Sequence, residues 1–153
     1  MSVAIHHSVI VVRDLESSLR FYRDGIDLDV LLDRDVEADY PALFDGPSHR
    51  IRVVFLGDRR LPDVTAGVLE LVAFHEGGVA DPRPPGPPAA GLFMLSFFVD
   101  VDQTLTRLHD LGLGGVPRRI SQSTPNGPMQ IATVGDPDGV VVLLTAGSTT
   151  RGS

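Results

Sequence analysis

The chain has 153 residues, 42% apolar and 22% charged, enough for one compact domain or two small halves sharing a core. A net charge of -7, with no basic stripe beyond Arg59-Arg60 and Arg118-Arg119, argues against a nucleic-acid partner. No apolar run approaches the roughly 20 residues that cross a bilayer, and the lack of cysteine excludes disulfides and thiolate metal sites. The N-terminus, MSVAIHH, has neither the basic region nor the long apolar stretch of a secretory signal. These features point to a soluble, cytoplasmic protein with no membrane partner, acting on a small molecule or another protein.

Ala4 to Val12 alternates and is rich in β-branched residues, so it predicts a strand. Asp14 stands where an N-cap belongs, and Leu15, Leu19 and Tyr22 recur at helical spacing, with Gly25 expected just past the helix end. Leu28–Leu32 is the second expected strand. The polar stretch Asp33–His49, with Pro41, Gly46 and Pro47, reads as a long loop. Arg50–Leu56 and Val68–Phe74 are the third and fourth strands, joined by a turn-rich link through Asp58 and Pro62.

Residues 76–91 contain GGVADPRPPGPPAAG, too rich in proline for helix or central strand, and are expected to be a semi-rigid linker. The order then repeats. Phe93–Val99 predicts a strand, Asp102–Leu111 a helix closed by Gly112, and Val116–Ser121, Met129–Val134 and Val140–Thr145 three further strands. Asp136-Pro137-Asp138-Gly139 is a tight-turn sequence, and residues 147–153 are expected to be a disordered tail. The predicted fold is therefore α+β: a βαβββ module at 4–75, the linker at 76–91 and a second module at 92–146. The modules are expected to form a curved, mostly antiparallel sheet around a cavity, with the helices outside.

HSVIVVRDLESSLRFYRD near the start and DPDGVVVLL near the end, in this βαβββ–linker–βαβββ order, resemble the vicinal oxygen chelate superfamily. That group includes glyoxalase I, bleomycin resistance proteins, epimerases and extradiol dioxygenases. The resemblance covers roughly residues 4–146 and implies a homodimer, with a divalent metal held by side chains on the first and fourth strands of each half. Matched by strand register, those places fall on His7, Glu70, Met94 and Leu143. Two are not metal donors, since neither a thioether nor an isobutyl group replaces imidazole or carboxylate for a hard ion. The implied cofactor is therefore none, or a weakly held divalent ion on His7 and Glu70.

Glu70 lies mid-strand among apolar residues, where an unpartnered carboxylate is costly to bury. It is either functional or on an edge facing water. Paired with His7, it suits general-base work, with the imidazole as hydrogen-bond donor to a developing oxyanion. A shift of one residue would put His6 in place of His7; otherwise His6 reads as structural or exposed. The expected substrate contacts are Met94, Phe98, Phe74 and Leu143, with Arg52 for an anionic group and Gln130 as a polar contact. Two functions remain open. One is an isomerase, lyase or epimerase acting on a carbonyl or enolate-forming substrate, with classical glyoxalase I or dioxygenase activity disfavoured. The alternative is a metal-free ligand- or drug-binding protein.

Overall fold

The structure is a computed structural model that describes residues 3, 5–61, 67–82, 84 and 86–146. The expected tail at 147–153, together with Ala4 and Pro62, lies outside them. The chain divides into two compact units, Met1–Asp81 and Pro82–Ser153.

In the first unit, β1 (His7–Val11) leads into α1 (Leu15–Leu19), which continues as a π-helical segment, Arg20–Gly25. Then come β2 (Asp29–Glu37), a short α2 (Tyr40–Phe44), β3 (Arg50–Gly57) and β4 (Val68–Phe74). The strands form one sheet in the order β1-β4-β3-β2, with β1 parallel to β4 and the other pairs antiparallel. The second unit repeats the plan: β5 (Met94–Phe98), α3 (Val101–Asp110), β6 (Gly114–Thr124), β7 (Gly127–Gly135) and β8 (Val141–Thr145). Its sheet runs β5-β8-β7-β6, again with one parallel pair. The α+β class and the doubled βαβββ order are thus as expected, realised as two mixed four-stranded sheets.

The turn chemistry follows the sequence closely. Asp14 caps α1 through a 3.0 Å bond from the Ser17 amide, and Asp100 caps α3 through one of 3.0 Å from Gln103. Asp136 accepts the Asp138 and Val140 amides at 2.8 Å each, and Gly139 takes the positive φ that closes the turn. Gly112, at φ 70°, ends α3 as expected. Gly25 is the last residue of the π-helical segment and not the residue past its end. The Ile26 amide reaches the Phe21 carbonyl in a wider turn, Gly25 is buried within it, and Asp27 takes the left-handed conformation at φ 77°.

The expected loop Asp33–His49 needs correcting at two places. β2 runs on through Asp33-Arg34-Asp35-Val36-Glu37, where Asp33 accepts two bonds from Arg52 of β3 and Asp35 pairs with His75 just past the end of β4. α2 is capped by Asp39 and seats Tyr40 on Ile51, Val53 and Val72. Five residues with a proline at the start are too few to show a helical period.

One face of each sheet is closed by its helix. In the first unit Leu71, Val54 and Leu56 are fully buried, and Ile10 nearly so, beneath α1 and its buried Leu19, Phe21 and Tyr22. In the second, Ala132, Val134, Val142 and Leu144 lie beneath Leu108 and Val101 of α3. Burial of this kind is the main stabilising term, about 25 cal/mol per Å² of apolar surface. The opposite face of the first sheet carries His7 and Glu70.

Candidate functional site

Strand pairing fixes what shares a face with Glu70. Val9 of β1 and Phe55 of β3 lie directly beside it in register, so His7, Val9, Glu70, Val72, Phe74, Phe55 and Val53 all project to one side. That is the side away from α1. Glu70 is only 9% exposed although its strand is otherwise apolar. Its burial is met by a partner: His7 Nε2 lies 3.0 Å from Glu70 Oε2. A hydrogen bond to an ionised acceptor offsets much of the desolvation that a lone carboxylate would suffer there.

Phe55 supports this pair. Its ring stacks on His7 at 5.9 Å between centroids and meets His6 edge-on at 6.3 Å. His6 approaches from just outside β1, and its Nδ1 lies 2.5 Å from His7 Nδ1. Neighbouring strand residues normally diverge to opposite faces, but His6 precedes the first paired residue and escapes that alternation. The sequence reading missed Phe55 and treated His6 as peripheral. The adjacent histidines at a strand entrance were the available signal for the second; nothing in the sequence pairs Phe55 with Glu70.

The remaining expected residues fall in three groups. Phe74 shares the Glu70 face and packs edge-on against Tyr40 and Phe44. In the second unit, Met94 pairs with Val141, and Leu143 follows two residues later, just as His7 pairs with Val68 two residues before Glu70. Met94 and Leu143 therefore occupy the register positions of His7 and Glu70, with Phe98 on the same face and 80% exposed. Arg52 and Gln130 are corrections. Arg52 projects to the α1 side, opposite Glu70, where Asp33 holds its guanidinium through bonds of 2.8 and 2.9 Å and Glu16 lies 3.7 Å away. This bidentate contact keeps the Asp33 carboxyl below the usual carboxylate range and raises the Arg52 guanidinium. Gln130 has the same parity as Ala132 and Val134, on the side that α3 covers, not the Leu143 side.

A hard divalent ion of the kind bound in this fold takes about six ligands. His7 and Glu70 supply two, Met94 and Leu143 supply none, and the described residues hold no group of three or more His, Asp or Glu side chains suited to a metal. The donor set does not make a resident site by itself. What the pair can do on its own is hold a carboxylate ready for a proton while directing an N–H beside it.

The doubled βαβββ order, with the acid–imidazole pair on the face away from α1, is shared with a known family. The model of the Glyoxalase/Bleomycin resistance protein/Dioxygenase superfamily matches residues 4–144, and the chain belongs to that family. It is 37% identical over 147 residues to the lactoylglutathione lyase-like protein terB of Aspergillus terreus, covering 94% of this chain and 75% of that one. Among solved structures it resembles a glyoxalase family protein of Bacillus cereus, with a TM-score of 0.70 and 20% identity over 96% of this chain and 97% of that one. It also resembles glyoxalase I of Leishmania major, with a TM-score of 0.58 and 25% identity over 95% and 87% of the two chains. Members of the family typically bind a divalent metal and small-molecule substrates, and often dimerise. No helix among the described residues is long and apolar enough to cross a membrane.

Proposed function

We propose that the protein is an enzyme of the isomerase, lyase or epimerase kind, acting on a carbonyl compound that passes through an enolate. The 3.0 Å contact between His7 Nε2 and the buried Glu70 carboxylate carries this reading. Glu70 Oε2 takes the His7 hydrogen bond, which leaves Oε1 to remove a proton from carbon next to the substrate carbonyl. As negative charge moves to the carbonyl oxygen, the imidazole N–H is the nearest fixed donor able to turn to it, a change worth more in an apolar site than in water. The lyase-like relative supports the reaction class, and Phe74, on the Glu70 face, supplies apolar contact for the substrate.

In this reading the catalytic modules are 4–75 and 92–146 joined by the linker at 76–91, and the working form is a cytoplasmic homodimer, testable by sedimentation. No resident metal is needed. Metal analysis and chelator treatment of the purified protein test that point: turnover that persists after chelation supports the chain's own groups. Turnover lost on chelation and restored by a divalent ion would move the chemistry to a metal. The substrate class is found by a thermal-shift screen against thioesters, 2-oxo compounds and aromatic antibiotics, in which a true ligand raises the melting temperature by mass action. Glu70→Gln should then abolish turnover while largely keeping ligand binding. Unchanged turnover would end the reading.

A further inference from the structure

Building on the reading of His7 and Glu70 as a working pair, we propose that His6 is its positioning residue, fixing which nitrogen of His7 carries the proton. With Glu70 as the carboxylate and His7 as the neutral imidazole, the two contacts have one direction. Glu70 as carboxylate can only accept, so His7 Nε2 must donate across the 3.0 Å contact. A neutral imidazole has one N–H, so His7 Nδ1 is then the acceptor, and the His6 Nδ1 that lies 2.5 Å from it is the donor. The hydrogen bonds run in one sense, from exposed His6 through half-buried His7 to buried Glu70.

Two observations outside the hydrogen bonds agree. Phe55, which lies beside Glu70 in the sheet, contacts both imidazoles, one face-on and one edge-on, so the rings are held against a common wall. The second unit has none of the three groups: Met94 and Leu143 stand at the register positions of His7 and Glu70, and Phe93 precedes Met94 as His6 precedes His7. Fixing the tautomer matters because the alternative, with the proton on Nδ1, sets a nitrogen lone pair against the Glu70 carboxylate and leaves no donor for the oxyanion.

The test is side-chain ¹⁵N–¹H correlation spectroscopy of the full chain over a pH series, read where the ring ¹⁵N shifts themselves show both imidazoles neutral. Wild-type protein should show His7 wholly as the Nε2–H form and His6 as the Nδ1–H form. His6→Phe should shift the His7 Nδ1 resonance as water replaces the donor and should break the single-tautomer signature. His6→Asn, which retains an N–H near the same place, should restore it. A wild-type His6 protonated at Nε2, or a His7 spectrum unmoved in His6→Phe, would overturn the proposal. Should His6→Phe not fold, the wild-type tautomers alone decide. These spectra do not depend on turnover, so retained activity in Glu70→Gln would defeat the functional reading without touching this one.

Discussion

The two units are built to the same strand order and register, yet they treat their two sheet faces differently. On the helix-covered side they agree: Leu71 and Val54 in the first and Leu144 and Val142 in the second are fully buried aliphatic side chains. On the other side they diverge, with a buried acid paired to a half-buried imidazole in one and a half-exposed thioether and leucine in the other. The helix side is under packing constraint, because each sheet needs it to fold. The open side can exchange ions for apolar groups while the backbone pairing stays the same. The buried acid and its imidazole partner belong to one unit, and the strand plan is kept in both.

The strongest way to break this comparison is to attack the faces separately. Leu71→Ala and Leu144→Ala remove fully buried side chains and should each cost about 3 kcal/mol in urea unfolding. Met94→Ala, on the open side and 39% exposed, should cost well under half as much. Equal losses would deny that the helix side carries the fold. A sharper form exchanges the units' chemistry. Leu143→Glu places a carboxylate with no histidine beside it and should cost about 2 kcal/mol. The double variant His7→Met/Glu70→Leu should unfold at the same denaturant concentration as wild type or a higher one, since apolar residues often replace a buried ion pair without loss.

Smaller effects test the shared frame. Asp14→Ala and Asp100→Ala delete equivalent caps and should each lower stability by about 1 kcal/mol, measured by thermal unfolding. The Asp33–Arg52 bridge has no counterpart cap and is about two-fifths exposed, so Asp33→Asn should cost only about 0.5 kcal/mol at neutral pH. Its sign with pH is definite. Asp33 is held below its unfolded value, so its contribution is present above the ordinary carboxylate range and fades as pH falls through the lowered value. A pH series should therefore bring Asp33→Asn and wild type together in acid.

The comparison also explains what was legible beforehand. Alternation exposed β1, β4, β5 and β8, and the aspartates at 14 and 136 announced their turns, because those signals are local. The His7–Glu70 pairing was inferred from register and is a contact in the structure. Arg52 and Gln130 went to the wrong side because a strand's own alternation shows which residues share a face, not which face meets Glu70; that needs the neighbouring strand's register. The charged half of β2 resembled a loop because its partners, Arg52 and His75, lie 19 and 40 residues downstream. His6 reads as peripheral within a strand expected over Ala4–Val12, whereas β1 begins at His7 and leaves His6 outside its alternation.

The central claim, that Glu70 takes a proton from carbon while His7 steadies the resulting charge, can be measured directly as hydrogen exchange. Protein incubated in D₂O with each thioester and 2-oxo probe that binds should catalyse deuterium entry next to the carbonyl, as read by NMR. Glu70→Gln should bind the same probe and reduce that exchange by at least about a hundredfold, the usual lower bound for a positioned general base. Exchange that continues undiminished in Glu70→Gln, or probes that bind wild type tightly and never exchange, would contradict the account and leave a binding protein in its place.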